Sequence, residues 1–207
     1  CLLTSIGYHS GIPTQYSKRM MKPSIQQDMG TSKEGNPQQI VNIQHYHSPC
    51  GEIILASSNG KLCLCDWQDM PCAERNKQRL QRILKADFKE ESSTVLNQAQ
   101  KELDEYFMGI RKIFSTPLLP IGTDFQKRVW KALLEIPYGE TRSYMEIAER
   151  VNNPKGVRAV AQAIGANGIS LFIPCHRVIG SNHSLTGFAG GLEAKRILLK
   201  IEGSYKD

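Results

Sequence analysis

The chain has 207 residues, enough for one or two domains with a buried core, and 26 Lys and Arg against 20 Asp and Glu give it a net charge of +6. No apolar run approaches the roughly 20 residues needed to span a bilayer, and no charged stretch followed by an apolar one marks an export signal. The basic excess favours a polyanionic partner, and it is uneven: residues 41–118 hold ten basic and ten acidic side chains, residues 119–207 twelve and eight.

The chain begins with Cys1 rather than Met, as a fragment or an unusual start would, and residues 1–38 mix Gly, Pro, Ser, Gln and Lys without period. A disordered leader is expected there. Structure is expected from about Ile40. Residues 41–46 alternate apolar and polar, and residues 52–57 and 62–67 are two further strand-like runs. Ser48-Pro49-Cys50-Gly51 and the Asn59-Gly60 hairpin signal join them into an antiparallel meander. Cys63 and Cys65 alternate with Leu62 and Leu64, as residues on one strand face would. Helices are expected over 74–86, with Leu80, Ile83 and Leu84 on one face, and over 95–107, capped by Thr94, with Leu96, Ala99, Leu103, Tyr106 and Phe107 inward and Gly109 past the end. Residues 39–118 thus read as a small α/β domain, closed by a linker over Leu118–Gly122.

The second domain, 119–207, opens on a capping-box pattern, Thr123 with Gln126. Its helix points Phe125, Val129, Trp130, Leu133 and Leu134 inward and stops at Pro137-Tyr138-Gly139. Ser143 caps a short helix, 144–151. A turn at Asn152-Asn153-Pro154 leads to a second, 155–166, rich in Ala and Gly, with Arg158 the long cation of its body. Two short helices about a tight turn are what a helix-turn-helix needs.

Six cysteines are present: Cys1, Cys50, Cys63, Cys65, Cys72 and Cys175. Without a CxxC pair or a regular framework they point to a reducing, cytoplasmic compartment. A zinc set of His47, Cys50, Cys63 and Cys65 matches no closed zinc motif, and no metal is expected. Cys175 differs from the rest. Leu171-Phe172-Ile173 reads as a short buried strand, Pro174 ends its ladder, and His176 and Arg177 flank the thiol. Free cysteine has a pKa of about 8.5, and a neighbouring imidazole and guanidinium are groups that lower it. The bland alternative is a small buried hydrophobe.

Ser143-Tyr144, Asn153-Pro154-Lys155, Arg158-Ala159-Val160, Ala166-Asn167, Pro174-Cys175-His176-Arg177-Val178-Ile179, Gly187 to Gly191 and Glu202-Gly203 together resemble the O6-alkylguanine-DNA alkyltransferases. The resemblance is unbroken from Thr123 to Gly203, weaker but in order from Ile40 to Pro120, and leaves out residues 1–38. It implies an α+β protein: a ribonuclease H-like domain, then a mainly helical, winged-helix-like helix-turn-helix domain. It implies that Cys175 takes the alkyl group from O6 of guanine in double-stranded DNA, irreversibly and once per protein, without a cofactor. His176 would act on the thiol through a bridging water, Glu202 would orient His176, and Asn167 would tie the recognition helix to the active segment. Tyr144 and Arg158 would extrude the base and fill the gap, with Lys155, Ala159 and Arg177 also at the DNA. Tyr144, Val178, Phe188, Ala189 and Gly190 would form the substrate pocket. At Phe188 many family members carry tyrosine, and at Ala189 a serine. A monomer is expected, and O4-alkylthymine is a second possible substrate.

Three other readings compete. A DNA-binding regulator responsive to methylation would use the helix-turn-helix alone. A cysteine hydrolase would pair Cys175 with His176, awkwardly, since neighbours on an extended segment point apart. A non-catalytic lesion binder would lack the cysteine.

Overall fold

The structure is a computed structural model that describes residues 39–205; the leader expected over 1–38 lies outside the described residues. Strands β1 (Gln39–Ser48), β2 (Gly51–Ser58) and β3 (Lys61–Trp67) form the expected antiparallel meander, in register from Asn42 opposite Ser57 to Ser48 opposite Gly51. Asn59 and Gly60 both take positive φ, 49° and 69°, as a two-residue hairpin turn of this hand requires. Ala56 pairs with Leu64 and Ser57 with Leu62, so Cys63 is an extra residue in a bulge. The bulge overturns the expectation of one shared face: Cys63 packs in a small core with Val41, Ile43 and Leu64, and Cys65 in the main core with Leu55 and Leu62.

The sheet is also not purely antiparallel. Helix α1 (Pro71–Leu84) ends at Lys85, which sits in the left-handed region at φ 48°, and the chain turns into a fourth strand, β4 (Ala86–Glu90). β4 runs parallel to β1, Gln39 opposite Ala86, giving the order β3-β2-β1-β4. Only Ala86 and Phe88 carry its inward alternation, too short a signal against three charged neighbours. Helix α2 (Thr94–Phe107) is capped by Ser93, which accepts from the Leu96 amide, so Thr94 is its first helical residue rather than its cap. Leu96, Ala99, Leu103 and Tyr106 bury against the sheet as expected, whereas Ile83 of α1 is 49% exposed. The 118–122 linker is fixed rather than loose: the Leu62 amide donates to Pro117 O and the Leu119 amide to Leu62 O, each at 2.8 Å.

In the second half, α3 (Asp124–Leu134) carries the Thr123–Gln126 capping box. The Trp130 indole N–H donates to Ala163 O at 2.8 Å, which makes this ring core, while Leu134 turns out to solvent. Two-residue strand β5 (Arg142–Ser143) leads into α4 (Tyr144–Arg150), capped by a second box, Ser143 with Glu146. A 3-10 turn at Pro154–Gly156 then opens α5 (Val157–Gly165). Residues 171–173 are not a strand. Leu171 has φ 70°, and the segment before it runs along β3 instead, with the Cys65 amide donating to Gly168 O and the Ser170 amide to Cys65 O. Strand β6 (Val178–Ile179) pairs parallel with β5, and α6 (Gly191–Ile201) ends at Glu202. One core therefore runs through both halves, from Leu55, Leu62 and Leu103 to Trp130, Ile173, Val178 and Leu198.

Candidate active site and nucleic-acid interface

Cys175, His176 and Arg177 form one 3-10 turn, not an extended run. At three residues per turn their side chains leave about 120° apart, so one short segment sends a thiol, an imidazole and a guanidinium to different partners. Cys175 is buried at 6% exposure. The Asn167 amide donates to its sulfur at 3.3 Å and to Ile173 O at 3.0 Å, while Asn167 Oδ1 accepts from the Ile169 amide at 3.0 Å. Asn167 comes just after the Ala166 cap of α5, so it couples that helix to the thiol.

Glu202 is the hub. Its Oε1 lies 2.8 Å from His176 Nε2 and accepts from Tyr106 Oη at 2.8 Å and Arg177 Nη2 at 3.0 Å; its Oε2 accepts from Arg177 Nε at 2.8 Å and the Gly139 amide at 3.3 Å. Arg177 also donates through Nη1 to Ile136 O. A buried carboxylate at a helix C-terminus is unfavourable twice over. Burial does push the Glu202 pKa up, but His176 and Arg177 outweigh it and hold the group down to about 2. Arg177, expected at the DNA, is thus an internal counter-ion, only 6% exposed. It neutralises Glu202 so that His176 need not. Burial keeps His176 below its ordinary pKa despite Glu202. The neutral ring then donates from Nε2 to the carboxylate, and the buried Nδ1, without a partner among the described residues, keeps its lone pair.

The thiol is not lowered by its chain neighbours. Burial raises the Cys175 pKa, and the opposing pulls come from the Asn167 amide, the Lys195 charge and the Ser170 hydroxyl. Lys195 was not anticipated. It is fully buried on α6, donating from Nζ to Val178 O at 2.6 Å and Thr186 O at 2.7 Å, and burial brings it down to about 8. One signal pointed to it: Lys195 shares a helix stripe with Leu198, Leu199 and Glu202, an apolar face where a lysine needs a reason.

Phe188, Ala189 and Gly190 form a half-buried wall before α6. The Phe188 ring packs edge-on to Trp67 at 5.1 Å and lies 6.3 Å from the His176 ring. A Cβ on Gly190 would come within 2.5 Å of the Trp67 ring, so glycine is required there. Val178, expected in the same wall, is fully buried and its carbonyl is held by Lys195. Tyr144 is half-buried at the start of α4, against the main core. Lys155, Arg158 and Ala159 are exposed on the outer face around the start of α5. Among the described residues no cluster of His, Cys, Asp and Glu could hold a metal ion, and no helix is long and apolar enough to cross a membrane.

Residues 43–120 match the family model described as 6-O-methylguanine DNA methyltransferase, ribonuclease-like domain, and residues 124–204 match its DNA binding domain. A methylated-DNA–protein-cysteine methyltransferase of Methanosarcina acetivorans is 44% identical over 159 residues, 77% of this chain and 96% of that protein. The constitutive enzyme of that name from Bacillus subtilis is 46% identical over 167 residues, 77% of this chain and 94% of its own. Among solved structures, Mycobacterium tuberculosis OGT in complex with DNA superposes with a TM-score of 0.66 at 38% identity, covering 80% of this chain and 93% of that one.

Proposed function

This chain belongs to the 6-O-methylguanine DNA methyltransferase family, and from that membership we propose how its own residues carry the reaction. It is a methylated-DNA–protein-cysteine methyltransferase that repairs DNA by direct reversal. The substrate is O6-alkylguanine in duplex DNA; O4-alkylthymine, with the same alkoxy carbon, is a second candidate. O6 is out of reach inside the stack, so the base is extruded at a cost of a few kcal/mol. Tyr144 crowds the backbone, and Arg158, planar and cationic, fills the gap. The extruded base lies against Phe188, Ala189 and Gly190.

His176 Nδ1 takes the Cys175 proton through one bridging water. The sulfur attacks the alkyl carbon, an S–C bond forms, the C–O6 bond breaks, and its electron pair leaves on guanine, which is then protonated. Glu202 stabilises the imidazolium that forms, and Lys195 favours the thiolate. The displacement needs neither metal nor redox cofactor. The thioether has no easy hydrolytic exit, so each molecule acts once. Residues 119–207 carry the chemistry on a scaffold formed by residues 39–118, in a monomer. The unpaired thiols Cys50, Cys63, Cys65, Cys72 and Cys175 suit a cytoplasmic location.

The observation that supports this most directly is the His176–Glu202 contact at 2.8 Å, with the buried Nδ1 holding no partner among the described residues. Intact-protein mass spectrometry after mixing with a duplex holding one O6-methylguanine tests it. One added methylene per protein, on the Cys175 peptide and absent from Cys175→Ala, is expected. Lesion binding without an adduct would reject transfer in favour of a binder or regulator.

A further inference from the structure

The exposed stripe of α5 does not end with the helix. Arg158, Ala159, Gln162 and Gly165, at i, i+1, i+4 and i+7, are all exposed. At Gln162 and Gly165 the stripe opens into a cleft of about 640 Å³ against α1 of the N-terminal half. The opposite wall is basic: Arg75, Arg79 and Arg82 stand at i, i+4 and i+7 on one face of α1. Arg75 and Arg82 are exposed, and neither forms an ion pair with a described residue. Arg79 is half-buried. It donates through Nη2 to Ala166 O at 2.9 Å, just past the end of α5, and its Nε is buried with no partner among the described residues.

The carboxylate that acts on Arg79 is already engaged. Asp66 accepts from Asn76 at 2.7 Å and from the Trp67 amide at 3.0 Å. Burial lowers the Arg79 pKa, Asp66 opposes that, and the charge of Arg82 adds to it, the mark of cations crowded together. Like charges along one helix face cost stability unless an anion lies among them. Seven residues at 1.5 Å put Arg75 and Arg82 about 10 Å apart along the axis. That is about the rise of three base pairs at 3.4 Å each.

We propose that this cleft holds the sugar–phosphate backbone of the duplex that α5 enters, beyond the C-terminal end of that helix, so that the N-terminal half is part of the DNA-binding surface. The inference rests on the reading that α5 meets alkylated DNA. Arg75 and Arg82 contact phosphates, and Arg79, tied to Ala166, aligns α1 with α5. These contacts carry no base readout, so they act on every sequence alike.

The test is binding of the full chain to a fluorescent unmodified duplex across a salt series. Each phosphate contact contributes about 0.9 to the slope of log affinity against log salt. The Arg75→Ala/Arg82→Ala double variant should therefore bind more weakly, with a slope shallower by about 2. Arg75→Lys/Arg82→Lys should restore most of the slope, and thermal denaturation should leave the alanine variant folded. If the alanine variant keeps both affinity and slope while Arg158→Ala weakens binding, the cleft proposal fails and the α5 reading stands. If Arg158→Ala has no effect, the α5 reading fails, and the shared duplex with it.

Discussion

Tyr106, on α2 of the N-terminal half, donates its hydroxyl to Glu202 Oε1 at 2.8 Å, and both side chains are buried. Burial and the Glu202 charge raise the Tyr106 pKa far above its ordinary range, so it stays a donor at any working pH. It shares Oε1 with His176 Nε2 and Arg177 Nη2 and so limits the carboxylate's rotation. Tyr106→Phe should cost about 1.5–3 kcal/mol, the range for a hydrogen bond to a charged group. Single-turnover transfer should slow by a few-fold. Denaturant unfolding and quenched transfer on an O6-methylguanine duplex read the two effects separately. A stability loss with an unchanged rate would make Tyr106 a packing residue alone.

Arg177 and Arg158 should give opposite signatures. Arg177→Met leaves Glu202 buried without its bidentate partner, and breaking a buried pair from one side costs about 3–5 kcal/mol. Set against a total stability of about 5–15 kcal/mol, that is a poorly folded protein. Arg158 is exposed, and Arg158→Ala should move stability by less than about 0.5 kcal/mol. It should slow transfer from duplex DNA and spare transfer from the free base O6-methylguanine. Thermal melts beside rates on both substrates would tell; a well-folded Arg177→Met would contradict the counter-ion role.

What could be read in advance was local. The Thr123–Gln126 capping box, the Ser143 cap and the Asn59-Gly60 turn are signals within a few residues, and each appears in the structure. What escaped depends on residues far apart in the chain. β4 forms because β1 offers an edge, and Tyr106 matters because Glu202 lies 96 positions away. Arg177 follows the same logic: in sequence it stands two residues from Cys175, but its partner in space is Glu202. Trp67 read as the end of a strand and proves to be the surface on which Phe188 and Gly190 rest.

Acid should destabilise the protein in two stages. Glu202 is held at about 2 against an ordinary 4.5, so its contribution is complete above about 4.5 and lost as pH falls toward 2. His176 is kept neutral below its ordinary 6.5. Under that pH the unfolded chain binds a proton that the folded ring refuses, and stability begins to fall there. Urea midpoints from pH 8 to 2 should drop first below about 6.5 and again below about 4.5. Glu202→Gln, less stable throughout, should show a smaller second drop, the remainder belonging to Glu102, which, against its burial, hydrogen bonds from Ser115 and Gln98 also hold below its ordinary value. An acid limb of the same shape in variant and wild type would show that Glu202 is not the group titrating.

Phe188 sets the apolar wall without a donor. Its ring is held edge-on to Trp67 and lies 6.3 Å from the His176 ring. Departure of guanine leaves an electron pair on the base, and a hydroxyl aimed at it lowers the barrier where the charge develops. Phe188→Tyr keeps the ring and adds that hydroxyl. A positioned acid contributes about 10²–10⁴-fold when proton transfer is complete, so a hydrogen bond alone should give roughly three- to tenfold. Single-turnover transfer from O6-methylguanine duplex should therefore accelerate by that factor, with duplex affinity unchanged, because the ring packs on Trp67 rather than on the α5 face. An unchanged or slower rate would mean that no developing charge lies within reach of position 188, and would move leaving-group assistance to another donor of the site.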